Sequence, residues 1–170
     1  MRKFLKTLLV ILLIALIVIQ FFRPDKNLSA APSPTDIALK YPPPPHVEDA
    51  LKVACNDCHT DSSRYPWYWH LQPVAWFLND HIQEGKRHLD FSVFTSYRIA
   101  RQYHLLQKIT DEIKEGDMPL SSYTLIHRDA VLEPAQKQAI NDWVASTRKQ
   151  IEQQYPADSL VMPKRPAPGN

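Results

Sequence analysis

Apolar residues fill every position from Leu8 to Ile19, with Phe4 and Leu5 ahead of Lys6 and Phe21 and Phe22 behind Gln20. A helix over Phe4 to Phe22 rises roughly 28 Å at ~1.5 Å per residue, near the ~30 Å hydrocarbon core of a bilayer. Arg2, Lys3 and Lys6 lead the run. The pattern therefore predicts an N-terminal membrane anchor over 1–23, with the rest of the chain exported. A cleaved signal segment is the alternative, with Ser29-Ala30-Ala31 as a weak cleavage site. The charges of Arg23, Asp25 and Lys26 and the following Pro32 count against it.

Further along, apolar positions recur at helical spacing. Val47, Ala50, Leu51 and Ala54 mark a helix leading into Cys55, and Pro73 opens a second. The second helix is expected to bury Val74, Phe77, Leu78, His81 and Ile82 and to fray or end at Gly85. Ser96–Glu115 follows, with Ile99, Tyr103, Leu106, Ile109 and Ile113 in one stripe and Gly116 as its stop. The last helix opens at Glu133-Pro134 and carries Ala139, Ile140, Trp143, Val144, Thr147 and Ile151 on one side. No stretch alternates as a strand does. The expected fold is all-α, a small helical domain over 47–154.

Composition adds the connectors. Seven of the fifteen prolines lie between Pro24 and Pro45. Proline lacks an amide proton and fixes φ, so 24–46 reads as a semi-rigid tether. Residues 155–170, with four more prolines, read as a flexible tail. Net charge is +2, and Arg2, Lys3, Lys6 and Arg23 supply four of the twenty basic residues. The remainder is slightly acidic, which excludes a nucleic-acid footprint on the folded domain.

The two cysteines stand in Cys55-Asn56-Asp57-Cys58-His59. Cys-x-x-Cys-His is the attachment signal for c-type haem: two thiols close on the porphyrin vinyl groups, and the adjacent imidazole is held under the iron. Three alternatives stand beside it. One is a CxxC disulfide in an exported chain, with His59 incidental. Another is a zinc site, weakened because no second ligand pair is present. A haem-free thiol-disulfide module is the third, and the βαβ setting usual for it is missing.

An iron held by His59 raises the question of a sixth ligand. Met118, in the loop Gly116-Asp117-Met118-Pro119, carries a soft thioether, and a His/Met pair raises the reduction potential. His81, on an apolar helix face, is the other candidate. Both stay open. The aromatic run Tyr65-Pro66-Trp67-Tyr68-Trp69-His70 follows the motif closely, and Tyr65, Trp67 and Trp69 are expected to line a pocket around the cofactor.

These segments resemble the bacterial haem-binding domain family of exported, single-CxxCH proteins, and more broadly the small c-type cytochromes. The resemblance rests on Cys55–His59, Ser63-Arg64-Tyr65-Pro66-Trp67-Tyr68 and Asp80-His81-Ile82 through Phe91-Ser92. It continues through Glu112-Ile113, Gly116-Asp117-Met118-Pro119, Tyr123-x-x-x-His127 and the Trp143-Val144 helix. It implies a cytochrome c-like domain around covalent haem c, with Met118 as axial ligand. The expected protein is a single-pass, inner-membrane electron carrier facing the periplasm, with no protein-side catalytic residue and an unidentified redox partner. A haem peroxidase or small-ligand sensor with an open sixth position is the alternative.

Overall fold

The computed structural model describes residues 1–163. Eight α-helices follow one another among them: α1 (Arg2–Ile19), α2 (Ile37–Lys40), α3 (Pro45–Ala54), α4 (Asn56–His59), α5 (Val74–His88), α6 (Ile99–Glu115), α7 (Ser121–Thr124) and α8 (Pro134–Gln154). Single 3₁₀ turns at 67–70, 94–96, 128–130 and 157–160 join them. The only β feature among the described residues is an isolated bridge between Leu28 and Ser62. The all-α expectation agrees with this architecture.

Helices α3, α6 and α8 form the core because their apolar stripes match. Val47, Ala50 and Leu51 of α3 share one core cluster with Leu106, Ile109 and Ile113 of α6 and Ile140, Trp143, Val144 and Ile151 of α8, and α8 packs against both of the other helices. Local signals set the helix ends. Pro45 occupies the first turn of α3, where no amide partner is needed. Glu133 and Gln136 form a reciprocal capping box ahead of α8. Gly116 ends α6 at φ +85°, a conformation that only glycine adopts without strain. Helix α5 runs through Gly85 to His88 instead of ending there.

The expected membrane-spanning helix is not present: no helix among the described residues is long and apolar enough to cross a membrane. Helix α1 has 18 residues, about 27 Å at the α-helical rise. Arg2, Lys3 and Lys6 leave 13 uncharged residues, Thr7 to Ile19, or about 20 Å, well short of the ~30 Å core. The single-pass inner-membrane assignment falls with that helix. The end of α1 docks instead on the domain. Gln20 exchanges hydrogen bonds with the Gln72 backbone (2.9 and 3.2 Å), and Arg23 donates to the His70 carbonyl.

The proline-rich segment, expected as a tether, is folded onto the domain. Ile37 and Tyr41 are buried in the main core. The Trp143 indole donates to the Tyr41 carbonyl, and the Tyr41 hydroxyl to Gln102. Asn27 acts as a clasp: its amide donates to Thr60 O (2.8 Å) and Ser63 Oγ (2.9 Å) and accepts from Lys86 Nζ (2.8 Å). At the other end, Tyr155 and Leu160 pack against the core. The part of the expected tail beyond residue 163 lies outside the described residues.

Candidate functional site

Helix α3 runs directly into the cysteine motif, and the single turn α4 completes it. The amides of Cys58 and His59 both donate to the Cys55 carbonyl (3.1 and 3.0 Å). Three-residue helical spacing then sets Cys55 and Cys58 on neighbouring positions of one turn. Both thiols are free. Burial pushes Cys55 up to about 12, with Cys58 beside it a lesser cause. Burial also pushes Cys58 up to about 11, helped by the charge of Asp57. Both are neutral thiols at pH 7, unlike the low-pKa thiolates of disulfide chemistry.

His59 is held by the end of α5. Its Nδ1 lies 2.8 Å from the Leu89 carbonyl, and a carbonyl only accepts, so Nδ1 carries the proton and Nε2 keeps its lone pair. Burial lowers the His59 pKa, partly opposed by the Leu89 and Gly85 carbonyls, which favours the neutral imidazole. A backbone carbonyl on the far nitrogen is the usual second support of a metal-binding histidine. The motif backbone is pinned from the same side, with Phe91 N donating to His59 O at 2.7 Å.

Cys58 forms part of a half-open cleft of about 100 Å³. One wall is the apolar face of α5: Val74, Phe77, Leu78, His81 and Ile82. Of these only Ile82 is buried, and Phe77 is 53% exposed. The face expected in the protein core instead opens onto the cleft. The second wall is the aromatic loop, with Tyr65, Tyr68 and Trp69, and the third comes from Leu120, Tyr123, Ile126 and His127.

The polar side chains in these walls satisfy one another and leave an almost wholly carbon-lined surface. The Asp57 carboxylate, in the middle of the cysteine motif, accepts from Arg64 N and Nε (both 3.1 Å) and from Tyr123 Oη (2.6 Å). The Tyr123 ring stacks on His127 with centroids 4.2 Å apart, and His127 Nε2 is hydrogen-bonded to Tyr68 Oη. Burial first, then Asp57, raises the Tyr123 pKa, while Asp57 holds the Arg64 guanidinium firmly charged.

Tyr65, Trp69, His81 and Cys58 therefore meet at one cleft. Trp67 does not: it is 75% exposed, edge-on to Tyr68. Cys55, His59 and Met118 lie outside the cleft lining, with Met118 half-buried two residues before Leu120. Sequence reasoning named Tyr68 within the aromatic run but missed Tyr123, His127 and Asp57 as wall-builders. The Tyr123-x-x-x-His127 spacing, one helical turn, was the available signal.

Comparison with known proteins gives one family, described as haem-binding domain, which matches residues 14–146. The match starts inside α1 and includes the whole proline-rich segment. Searches of curated proteins and of solved structures return no match.

Proposed function

Since the chain belongs to the haem-binding domain family, we propose that it carries haem c covalently on Cys55 and Cys58, with His59 as axial ligand, and works as a one-electron carrier. The observation that carries this reading is His59. Its Nδ1–H is committed to the Leu89 carbonyl and its neutral Nε2 is free, beside two protonated thiols. Each thiol S–H adds across one vinyl group, so the sulfurs need no partner of their own. The cleft that starts at Cys58 supplies the apolar walls a flat macrocycle needs, and the hydrogen-bonded Tyr68, Tyr123 and His127 hold those walls in place. Haem iron supplies one-electron exchange when bound; the protein sets its access and potential.

For the sixth position we favour Met118 over His81. His81 Nδ1 is bonded to the Phe77 carbonyl at 2.8 Å, and His59 to that of Leu89. The Phe77 carbonyl lies in the first turn of α5 and the Leu89 carbonyl just past its end, so the two rings would be anchored at opposite ends of that helix. The elevated thiol pKa values argue against the disulfide-exchange reading.

The test is protein produced with haem-maturation factors. Colour should stay with the chain through acid–acetone extraction, and complete loss of colour would overturn covalent attachment. The far-red sulfur-to-iron band of the oxidised form should vanish in Met118→Ala. Rapid carbon monoxide binding by the reduced wild type would replace the carrier with a ligand-binding protein.

A further inference from the structure

Gly85 sits inside α5, three residues before its end, where a glycine normally weakens a helix and alanine strengthens it. Its surroundings explain the exception. A Cβ built on Gly85 would lie 2.8 Å from the Cys58 carbonyl oxygen, 3.1 Å from Cys58 Cβ and 3.3 Å from the Cys58 carbonyl carbon. The nearest of these is backbone, which cannot swing aside as a flexible side chain does. The helix and the cysteine turn are thus in backbone contact at Gly85.

That contact bears directly on His59. Gly85 is four residues before Leu89, whose amide donates to the Gly85 carbonyl and whose carbonyl receives His59 Nδ1–H at 2.8 Å. We infer that Gly85 is a positioning residue for the iron ligand: the missing Cβ lets α5 close on Cys58 and so brings the Leu89 carbonyl within hydrogen-bond reach of His59. The inference rests on the proposed role of His59 as axial ligand. A Cβ at this point, 2.8 Å from the Cys58 carbonyl oxygen, needs about 0.6 Å more room to reach ordinary van der Waals contact. Backing α5 away by that much stretches the His59 bond towards the limit of hydrogen bonding. A weaker acceptor on Nδ1 leaves the imidazole a poorer electron donor and favours the reduced iron.

The experiment compares Gly85→Ala with wild type as holoprotein, with Ile140→Val in the α8 core as a control that lowers stability away from the site. Gly85→Ala should lower Tm, against the sign set by helix propensity. It should also raise the midpoint potential and speed solvent exchange of the His59 Nδ1–H, read by NMR, by about tenfold. Ile140→Val should lower Tm and leave the potential and the exchange rate unchanged. A Gly85→Ala protein with raised Tm and wild-type potential and exchange overturns the inference.

Two further outcomes are decisive. If Gly85→Ala fails to fold, the close contact is supported, and wild-type exchange decides the rest. A His59 Nδ1–H exchanging as fast as free imidazole overturns the positioning role; slow exchange supports it. If wild type retains no haem, the proposed function fails by itself. The Tm comparison on the apoproteins then still tests the Gly85 contact, and a rise in Gly85→Ala refutes it.

Discussion

Replacing Asn27 by alanine asks whether the proline-rich segment is part of the domain. The side chain makes three hydrogen bonds: to Thr60 O, to Ser63 Oγ and from Lys86 Nζ. The two neutral bonds are worth about 1 kcal/mol each and the one to the ammonium about 1.5–3, a ceiling near 5 kcal/mol. Asn27 is half-buried, so water replaces part of this, and Lys86 keeps Asp90 at 3.7 Å. Halving the ceiling leaves about 2–3 kcal/mol, or a Tm lowered by about 5–10 °C for a chain of this size. Urea unfolding at fixed m-value measures it, with Asp25→Ala, exposed two residues earlier, as the unaffected control. A loss below ~0.5 kcal/mol, the level of an ordinary surface change, would mean that residues 24–46 are a tether after all.

Other consequences can be checked more briefly. Tyr123→Phe should cost about 1–2 kcal/mol at neutral pH, because it removes the 2.6 Å donor to Asp57. Tyr123 is raised above its ordinary value of 10 in the fold, so its contribution is complete below pH 10 and is lost as pH rises beyond it. Stability profiles from pH 8 upward should therefore fall less steeply in the variant. His59 is lowered from 6.5, so the unfolded chain takes up its proton first, and the apoprotein should lose stability as pH falls below about 6.5. His59→Gln should flatten that limb in acid unfolding curves. Cys58→Ser should keep haem through acid–acetone extraction on one thioether, with a red-shifted α-band, and the Cys55→Ser/Cys58→Ser pair should lose it all.

The three core helices were legible because their periodicity has a single meaning. The stripes of α3 and α8 face one another, and Ala50, Trp143 and Val144 are buried where their spacing puts them. Helix α5 shows the limit of that argument. Periodicity reveals that Val74, Phe77, Leu78 and Ile82 share a face but not what covers it, and here the face lines a cleft. The proline-rich segment was misread for a related reason. Proline excludes regular helix, yet Ile37 and Tyr41 between the prolines still bury themselves against distant helices. The apolar run reaches Phe22, but α1 ends at Ile19 and basic residues interrupt its start, so its usable length is shorter than the run. The Asp57–Tyr123 bond joins residues 66 apart, and no local pattern encodes such a pair.

That bond explains why the second residue between the cysteines matters. A carboxylate left 8% exposed between two thiols is costly unless it is paired, and Asp57 is paired three times over. Its partners are not incidental. Arg64 starts the aromatic loop, and Tyr123 holds His127, which holds Tyr68. Two of the three cleft walls are thereby referenced to the residue beside Cys58, and the third, α5, to Cys58 itself through Gly85. Asp57→Asn keeps the size but weakens the acceptor for both Arg64 and Tyr123. Both loop walls should loosen together, so Asp57→Asn and Tyr123→Phe should be strongly non-additive in a double-mutant cycle. Additive losses would show that the motif and the cleft are built independently, and that their adjacency carries no design.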